Sequence, residues 1–376
     1  MTATLVISFC FLSLGQIAIA LDLGPRCMAT WGHRSRVLTR ALAAVAGTSL
    51  VLWAPWLALV YLHETGVGLR IWLWTHVALS VLYFVHFLDA PLPRLIRKAN
   101  DVENVTCEVR NYQRREKRPR FHSARNQNLE VRQDRLTAPP SRSLRDGISL
   151  GVLADLHAYY SGDLPFISWC VDQVNRLKAD LIVVAGDLTK RKKMVEPVAE
   201  IVARLEAPSG VYLALGNHDL GLGSQCFTEA FKERPVQLLR PRDGEIEVRE
   251  AVSLTSSEWP FRKPARSPLA ARTADDPRYR ILLAHSPDNI GRAAAAGYDL
   301  VVSGHTHGGF PHVPGIGPLI VPLRYGRRLA EGWFRCGSTH LFVTRGVGYV
   351  PASPFQRKPQ VARIDVRGAP NWRKQI

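Results

Sequence analysis

The chain has 376 residues, with 49 lysines and arginines against 32 aspartates and glutamates, a net charge of +17 and a pI near 10.0. Its length accommodates one large domain or two smaller ones. So large a basic surplus is atypical of a free cytosolic enzyme, and it predicts attraction to an anionic partner, either a membrane face or nucleic acid.

Three apolar stretches occupy the first quarter of the chain. They cover residues 3–21, 41–62 and 71–88 and contain no charged residue. Because a helix crosses a bilayer with about 20 apolar residues, each stretch is a predicted transmembrane span. The first could alternatively be a cleaved signal peptide ending at Ala18-Ile19-Ala20, although it lacks the positive N-terminal region that such signals carry.

Basic residues flanking these stretches predict the orientation of the chain in the membrane. Those on the predicted cytoplasmic side are Arg26, Arg34, Arg36, Arg40, Arg94, Arg97 and Lys98. Positively charged loops stay in the cytoplasm, so we expect the N-terminus outside and everything after residue 89 inside. Residues 1–98 are therefore assigned to a multi-pass region of the inner (cytoplasmic) membrane.

The segment 99–147 is predicted to be a basic linker. Residues 94–145 contain 14 Lys or Arg against 6 acidic residues and few aromatics. This composition is typical of a solvated, partly disordered segment, with one strand near 129–135. A basic segment next to a membrane span favours an anionic inner leaflet as its partner. Nucleic acid is the weaker alternative, because no recognition helix or basic strand interleaved with aromatics is present.

From residue 148 onward, short apolar runs alternate with helical patterns. The runs ISLGVLA, DLIVVAG, GVYLALG, RYRILLAH and YDLVVSGH are rich in Val, Ile and Leu. Runs of this kind suit strands buried on both faces, and the first segments between them are long enough for crossover helices. The sequence therefore predicts an α/β layered domain over residues 148–376.

Each of these five runs ends in a polar cluster. The clusters are Asp155-Leu156-His157, Gly186-Asp187-Leu188, Gly216-Asn217-His218-Asp219, Ala284-His285-Ser286-Pro287 and Gly304-His305-Thr306-His307-Gly308-Gly309. Ligands of α/β sheets bind at the carboxyl ends of the strands, so we expect the clusters to converge. Carboxylate oxygens and imidazole nitrogens bind Mn²⁺, Fe²⁺ or Zn²⁺. One such cluster is most often a turn, but five in succession predict a metal centre.

The ordered clusters resemble the signature of the calcineurin-like metallophosphoesterase superfamily, DxH, GD, GNHD, H and GHxH. The runs LLAHSPD, SGHTHGG, LRYGRR and TRGVG extend the resemblance to the membrane-linked branch that contains the YkuE- and YaeI-type phosphoesterases. The resemblance covers about residues 148–366. It implies a layered αββα sandwich, here preceded by about three transmembrane helices.

The resemblance also implies a role for each residue of the clusters. One metal ion would be held by Asp155, His157 and His307, the other by Asn217, His285 and His305, with Asp187 bridging them. Mn²⁺ is favoured over Fe²⁺ and Zn²⁺, and water shared by two ions becomes a hydroxide that attacks phosphorus. His218 would stabilise the phosphate oxygens or protonate the leaving oxygen.

The chain departs from the family pattern at Lys190. Relatives often have an aspartate at this position, three residues after the bridging one, to orient the catalytic histidine. Here Asp219 is the candidate for that role, and the alternative is that His218 is less polarised. Substrate contacts are predicted at Arg324, Tyr325, Arg327 and Arg328, since guanidinium groups suit phosphate, and solvated loop cations are the alternative.

The predicted function is hydrolysis of a phosphate ester or pyrophosphate of a lipid-linked substrate at the inner face of the membrane. The resemblance implies, most specifically, cleavage of UDP-2,3-diacylglucosamine in lipid A synthesis. Two alternatives stay open. One is a general phosphodiesterase or phosphatase acting on another phospholipid or nucleotide, and the other is a scaffold that has lost its activity.

Overall fold

The computed structural model describes residues 96–112, 128–258, 260–261, 269–313, 315, 317–348 and 357–368. All of them belong to the second of two compact units of the chain, Pro93–Ile376. The three predicted spans, 3–21, 41–62 and 71–88, lie outside the described residues. Within the described ranges, no helix is long and apolar enough to cross a bilayer.

The described residues form sixteen strands and five α-helices. The strands are β1 (Ile96–Lys98), β2 (Glu103–Asn111), β3 (Asn128–Thr137), β4 (Ile148–Leu153), β5 (Leu181–Val184), β6 (Val211–Leu213), β7 (Gln237–Leu238), β8 (Ile246–Arg249), β9 (Val252–Ser257), β10 (Tyr279–Ala284), β11 (Leu300–Ser303), β12 (Phe310–Val313), β13 (Gly317–Ile320), β14 (Gly332–Cys336), β15 (Thr339–Val343) and β16 (Gln360–Arg367). The helices are α1 (Leu164–Asn175), α2 (Val195–Val202), α3 (Asn217–Leu222), α4 (Ser224–Phe231) and α5 (Ile290–Ala295).

Within these residues the strands build two seven-stranded sheets and one hairpin. The first sheet has the order β1-β14-β15-β11-β10-β9-β8, the second has the order β2-β3-β16-β4-β5-β6-β7, and β12 pairs with β13. In the second sheet β4, β5 and β6 run parallel, and in the first sheet so do β9, β10, β11 and β15. Their carboxyl ends therefore align along one edge of each sheet.

The two sheets pack face to face around an apolar core. Leu150 and Val183 of the second sheet and Ile281, Val302 and Phe342 of the first are buried in one cluster. All of these residues except Phe342 come from the continuous apolar runs that the sequence singles out, and burial of each side chain contributes about 1.5–3 kcal/mol. The core therefore fixes the strands whose ends carry the polar clusters.

Helices cover the outer faces of both sheets. Helices α1, α2 and α4 pack on the second sheet in a separate cluster that includes Val171, Val198 and Phe227. Helix α5 contacts β14 and β15 of the first sheet. The layers are thus helix, sheet, sheet and helix, and the predicted α/β sandwich is confirmed.

Within the segment 99–147, interpreted as a linker, the described residues 99–112 and 128–147 contain two strands of the second sheet. β3 contains the strand expected near 129–135, and β2 pairs with it antiparallel. β2 has mostly exposed side chains, because it lies at the sheet edge and is held by backbone hydrogen bonds. Its composition therefore resembles that of a solvated linker.

Strand β3 is also tied to the first sheet through a buried carboxylate. Asp134 accepts hydrogen bonds from Arg132 Nε at 2.5 Å, Asn104 Nδ2 at 2.7 Å and Trp333 Nε1 at 2.8 Å. Trp333 belongs to β14, so this contact joins the two sheets. The folded domain therefore begins well before residue 148.

Candidate metal centre

The five polar clusters converge at the carboxyl ends of strands from both sheets. Asp155 and Asp187 follow β4 and β5 of the second sheet, and His285 and His305 follow β10 and β11 of the first. Asn217 is the first residue of α3, just after β6. The site is thus built where the two sheets face each other, with ligand candidates from each.

Residues with an unfavourable positive φ are concentrated at the site. Among the described residues, seven residues other than glycine have positive φ, and five of them are candidate ligands: Asp155, His157, Asp187, His305 and His307. Left-handed φ is uncommon for residues with a side chain and persists where the surrounding fold enforces it. Such clustering is typical of functional sites.

Two glycines let the backbone approach the candidate carboxylates closely. A Cβ added to Gly216 would lie 2.1 Å from Asp187 Oδ1, and one added to Gly304 would lie 2.2 Å from Asp155 Oδ2. Any side chain at these positions would displace a carboxylate. Gly216 of GNHD and Gly304 of GHTHGG are therefore required because no larger residue fits beside the carboxylates.

Three sets of side chains in this region have the spacing of metal ligands. They are Asp155, His157 and His307; His157, Asp187 and His218; and Asp187, His285 and His305, with the ligand atoms of each set within 4.8 Å of one another. Asp187 belongs to two of these sets, one with His157 and His218 and one with His285 and His305. This arrangement suits two divalent ions and places Asp187 where the bridging ligand is expected.

Hydrogen bonds to backbone carbonyls fix the tautomers of two histidines. His285 donates from Nδ1 to Ala185 O at 2.6 Å, and His305 donates from Nε2 to Pro322 O at 3.1 Å. A carbonyl only accepts, so in the neutral ring the lone pair is on Nε2 of His285 and on Nδ1 of His305. Orientation of this kind by a carbonyl is typical of metal-binding histidines.

The nitrogen and oxygen atoms of the candidate ligands lie close to one another. His285 Nε2 lies 3.3 Å from Asp187 Oδ2 and 3.2 Å from Asn217 Oδ1. His157 Nε2 and His307 Nε2 lie 2.9 Å apart, and the buried Nδ1 atoms of both have no hydrogen-bond partner among the described residues. These buried nitrogen and oxygen atoms form a set of ligands that fits a divalent ion.

The pKa values of the site point to the same need for positive charge. Although burial opposes it, Asp187 raises the pKa of His285 to about 9. Burial and the neighbouring Asp187 raise the pKa of Asp155. Burial lowers the pKa of His305 and of His307 to about 3. The crowded carboxylates thus favour positive charge beside them, either on His285 or on a bound cation, while His305 and His307 stay neutral.

His218 lies at the open side of this cluster. Its side chain is 28% exposed, and its Nε2 is 3.9 Å from Asp187 Oδ2. Its backbone N–H donates to Asp187 Oδ1 at 2.9 Å, which holds the start of α3 against the bridging position. A partly exposed imidazole at this place can exchange protons with a substrate and with water.

The contacts described for Asp219 differ from the role predicted for it. Its buried carboxylate accepts from the backbone N–H groups of Leu188, Thr189 and Gly216 at 2.9, 3.3 and 3.0 Å. These bonds join the GD loop to the GNHD loop. Asp219 therefore sets the spacing between Asp187 and the helix that carries His218, and its orienting role toward the imidazole stays a prediction.

The predicted substrate residues lie on a loop that passes the centre. Pro322, whose carbonyl contacts His305, is followed by Arg324 and Tyr325, and Arg327 and Arg328 begin a short 3₁₀ turn. The Arg324 N–H donates to buried Asp288 at 3.0 Å, three residues after His285. The loop is thus tied to the site by its backbone, while substrate contact by the four side chains stays a prediction.

Two further residues at the site were not singled out by the sequence. The ring of Phe261 lies 5.1 Å from that of His305 and 5.8 Å from that of His285. Arg345, from TRGVG, is buried beside Gly308 and pairs with Glu331 and Glu130. The TRGVG match gave a signal for Arg345, whereas nothing in the sequence places Phe261 next to a histidine.

Comparisons with known proteins agree with this geometry. The family model of the calcineurin-like phosphoesterases matches residues 148–309. The uncharacterized metallophosphoesterase YkuE of Bacillus subtilis is 30% identical over 229 residues, which are 57% of this chain and 78% of that protein.

Two other relatives extend the comparison. The phosphodiesterase YaeI of Escherichia coli is 26% identical over 57% of this chain and 80% of its own length. A transmembrane protein with a metallophosphoesterase domain from Danio rerio is 29% identical over 54% of this chain and 49% of its own length. The chain belongs to the calcineurin-like metallophosphoesterases, which are hydrolases of phosphoric ester bonds.

Proposed function

We propose that this chain hydrolyses a phosphate ester or pyrophosphate bond of a lipid-linked substrate, with two divalent ions, at the inner face of a membrane. The observation that carries the reaction class is the set of buried acceptors around Asp187. Two of the three ligand sets contain Asp187, and the buried Nδ1 atoms of His157 and His307 have no hydrogen-bond partner among the described residues. Mn²⁺ is the favoured ion, with Fe²⁺ and Zn²⁺ as alternatives.

The residues of the chain divide into two groups of ligands and a proton carrier. Asp155, His157 and His307 would hold one ion, Asn217, His285 and His305 the other, and Asp187 both. Bound there, the ions would polarise the phosphate and lower the pKa of water, which then serves as the nucleophile.

His218 acts on the proton side of the reaction. Its partly exposed imidazole stabilises the phosphate oxygens and supplies a proton to the leaving oxygen. Asp219 keeps this histidine at a fixed distance from Asp187 through its three backbone contacts. Positioning of this kind is what makes proton transfer efficient.

The lipid-linked substrate rests on the N-terminal part of the chain. Residues 3–21, 41–62 and 71–88 are predicted spans, and the basic residues after them favour an anionic inner leaflet. A relative is named a transmembrane protein with a metallophosphoesterase domain. Confining the catalytic site to a membrane surface suits a substrate that resides there, and UDP-2,3-diacylglucosamine, an intermediate of lipid A synthesis, is the specific candidate.

A general phosphodiesterase acting on another phospholipid or on a nucleotide is the second candidate. It is favoured by the name of the YaeI relative, a phosphodiesterase. A scaffold without activity is the third, and the complete set of candidate ligands argues against it.

The test is a metal-reconstituted assay of the full chain in nonionic detergent. With Mn²⁺, wild type should hydrolyse bis-p-nitrophenyl phosphate, and Asp187→Asn or His305→Ala should lose at least about 10³-fold in kcat/KM with the fold intact. The exposed Asp172→Asn is the matched control and should retain wild-type activity.

The same assay distinguishes the substrates. UDP-2,3-diacylglucosamine in mixed micelles should be preferred over generic diesters by orders of magnitude in kcat/KM. Equal rates on all diesters would support the general phosphodiesterase. A wild type inactive on every ester with Mn²⁺, Fe²⁺ and Zn²⁺ would support the scaffold.

A further inference from the structure

Two segments that each follow a candidate ligand come together beside the metal centre. Ala158, next to His157, pairs in parallel with Thr189, two residues after Asp187. The Thr189 hydroxyl donates to Ala158 O at 2.7 Å, and the Lys190 N–H lies 3.4 Å from the same carbonyl. The residues that continue these segments, Tyr159, Tyr160, Lys190 and Arg191, form what we call the cationic lip.

The aromatic residues of the lip hold one of its cations in place. The Arg191 guanidinium lies 3.7 Å from the centre of the Tyr159 ring and 5.9 Å from that of Tyr160. Stacking on a ring occupies the face of a guanidinium and leaves its N–H edge available. The Arg191 backbone N–H donates to Thr189 Oγ1 at 3.0 Å, which further fixes the residue.

The second cation of the lip, Lys190, comes three residues after the candidate bridging ligand Asp187. Its side chain is exposed, and its backbone is held beside the segment that follows His157. In the part of the chain that the structure describes, neither Lys190 nor Arg191 belongs to an ion pair within 4.0 Å.

Lys190 and Arg191 have no carboxylate partner among the described residues. The cleaved phosphate at the centre does not need both of these cations. The candidate ligands already offer a place for divalent ions at the phosphate that is cleaved. Lysine and arginine recognise phosphate oxygens by charge-assisted hydrogen bonds. The lip lies two to four residues beyond His157 and Asp187, so it would meet a group attached to the cleaved phosphate.

We infer that the cationic lip binds a second, non-scissile phosphate, and that the chain prefers substrates with a diphosphate over those with a single phosphate. This inference rests on the proposed function and narrows its substrate class to diphosphate diesters. Lys190 supplies a point charge near the centre, and Arg191, held on Tyr159, supplies N–H donors farther out. The lysine that departs from the family pattern is thereby a specificity residue.

The test compares two substrates that differ by one phosphate. These are the p-nitrophenyl esters of thymidine 5′-monophosphate and of thymidine 5′-diphosphate, both water-soluble, with total hydrolysis followed by chromatography. The test variant is the double substitution Lys190→Ala and Arg191→Ala, made in the full chain and assayed with Mn²⁺. The control combines Arg176→Ala and Lys232→Ala, two exposed cations that precede β5 and β7 and remove the same charge.

We expect kcat/KM for the diphosphate ester to fall at least tenfold more than kcat/KM for the monophosphate ester, mainly through KM. Lys190→Arg should retain more than half of the preference, and the control should leave both values at wild type. Unequal loss of this kind requires a contact with the second phosphate, because general damage to the site would reduce both rates together.

The outcomes separate this inference from the proposed function. A wild type that hydrolyses both esters, with a double variant that loses activity equally on both or on neither, overturns the lip and leaves the phosphoesterase in place. Loss confined to substrates embedded in anionic vesicles would mean that the lip binds the membrane, and it too overturns the inference. A wild type inactive on both esters contradicts the proposed function itself.

Discussion

Two groups of buried charge in the same domain differ in how they are compensated. The first, which we call the ion cluster, surrounds Asp299, whose carboxylate pairs with Arg142 Nε at 2.7 Å and with Arg272. Arg280 donates to Glu245 at 2.8 Å, to Ala296 O at 3.0 Å and to Ala270 O at 2.7 Å, and it lies over Tyr298. Its charges are thus compensated by opposite charges and carbonyls of the chain itself.

The metal centre is as deeply buried but is not compensated in this way. Asp155 and Asp187 are 0% and 1% exposed, and the buried Nδ1 atoms of His157 and His307 have no hydrogen-bond partner among the described residues. The contrast teaches that buried charge alone does not indicate function, because the ion cluster has it too. Unsatisfied acceptors that share one centre distinguish a ligand site from a structural one.

The largest effect on stability should come from breaking the ion cluster. Asp299→Asn leaves Arg142 and Arg272 without their carboxylate and should lower the unfolding free energy by about 3–5 kcal/mol. Asp172→Asn, which removes an exposed partner of Arg204, should cost less than about 1 kcal/mol. Thermal unfolding of the full chain in detergent measures both, and equal losses would remove the distinction between buried and exposed pairs.

Metal should stabilise the centre and leave the ion cluster unaffected. At about 100 times its dissociation constant, Mn²⁺ should add about 2.7 kcal/mol per bound ion to the unfolding free energy of wild type, because it binds only the folded chain. Asp299→Asn should gain the same increment, whereas Asp187→Asn should gain clearly less. An equal increment in all three proteins would place the ion away from Asp187.

The smallest effect concerns pH at the edge of the ion cluster. Hydrogen bonds from Arg278 lower the pKa of Asp276 from 3.8 to about 2. The ionised form is therefore favoured by folding, and its contribution is present above pH 3.8 and lost as the pH falls through about 2.

Asp276→Asn should accordingly lower the unfolding free energy by about 1 kcal/mol at pH 7, after screening by solvent. The difference from wild type should vanish near pH 2. Thermal unfolding as a function of pH measures it, and a difference that grows on acidification would contradict this sign.

The sequence predicts the centre well because its signals are local. β4, β5, β6, β10 and β11 are apolar runs ended by a polar cluster, and the structure has each strand ending just before its cluster. Burial on both faces makes the runs visible, and glycines such as Gly216 and Gly304 are required by close contact. The parallel sheets then bring the strand ends together.

The features that the sequence does not predict depend on distant parts of the chain. β2 is an edge strand without an apolar face. β16 pairs between β3 and β4, which precede it by more than 200 residues in the chain. Phe261 comes near His305 only through the fold. Hydrophobic periodicity reports burial, so a strand held by backbone pairing and a ring brought in by a loop leave no trace in it.

The most direct test of the account is the metal content of the purified full chain after reconstitution with Mn²⁺ and removal of free ion. Elemental analysis should give two ions per chain for wild type and for Asp299→Asn, and fewer than two for Asp187→Asn. No retained metal in wild type, or the same content in Asp187→Asn, would contradict a two-ion centre around Asp187.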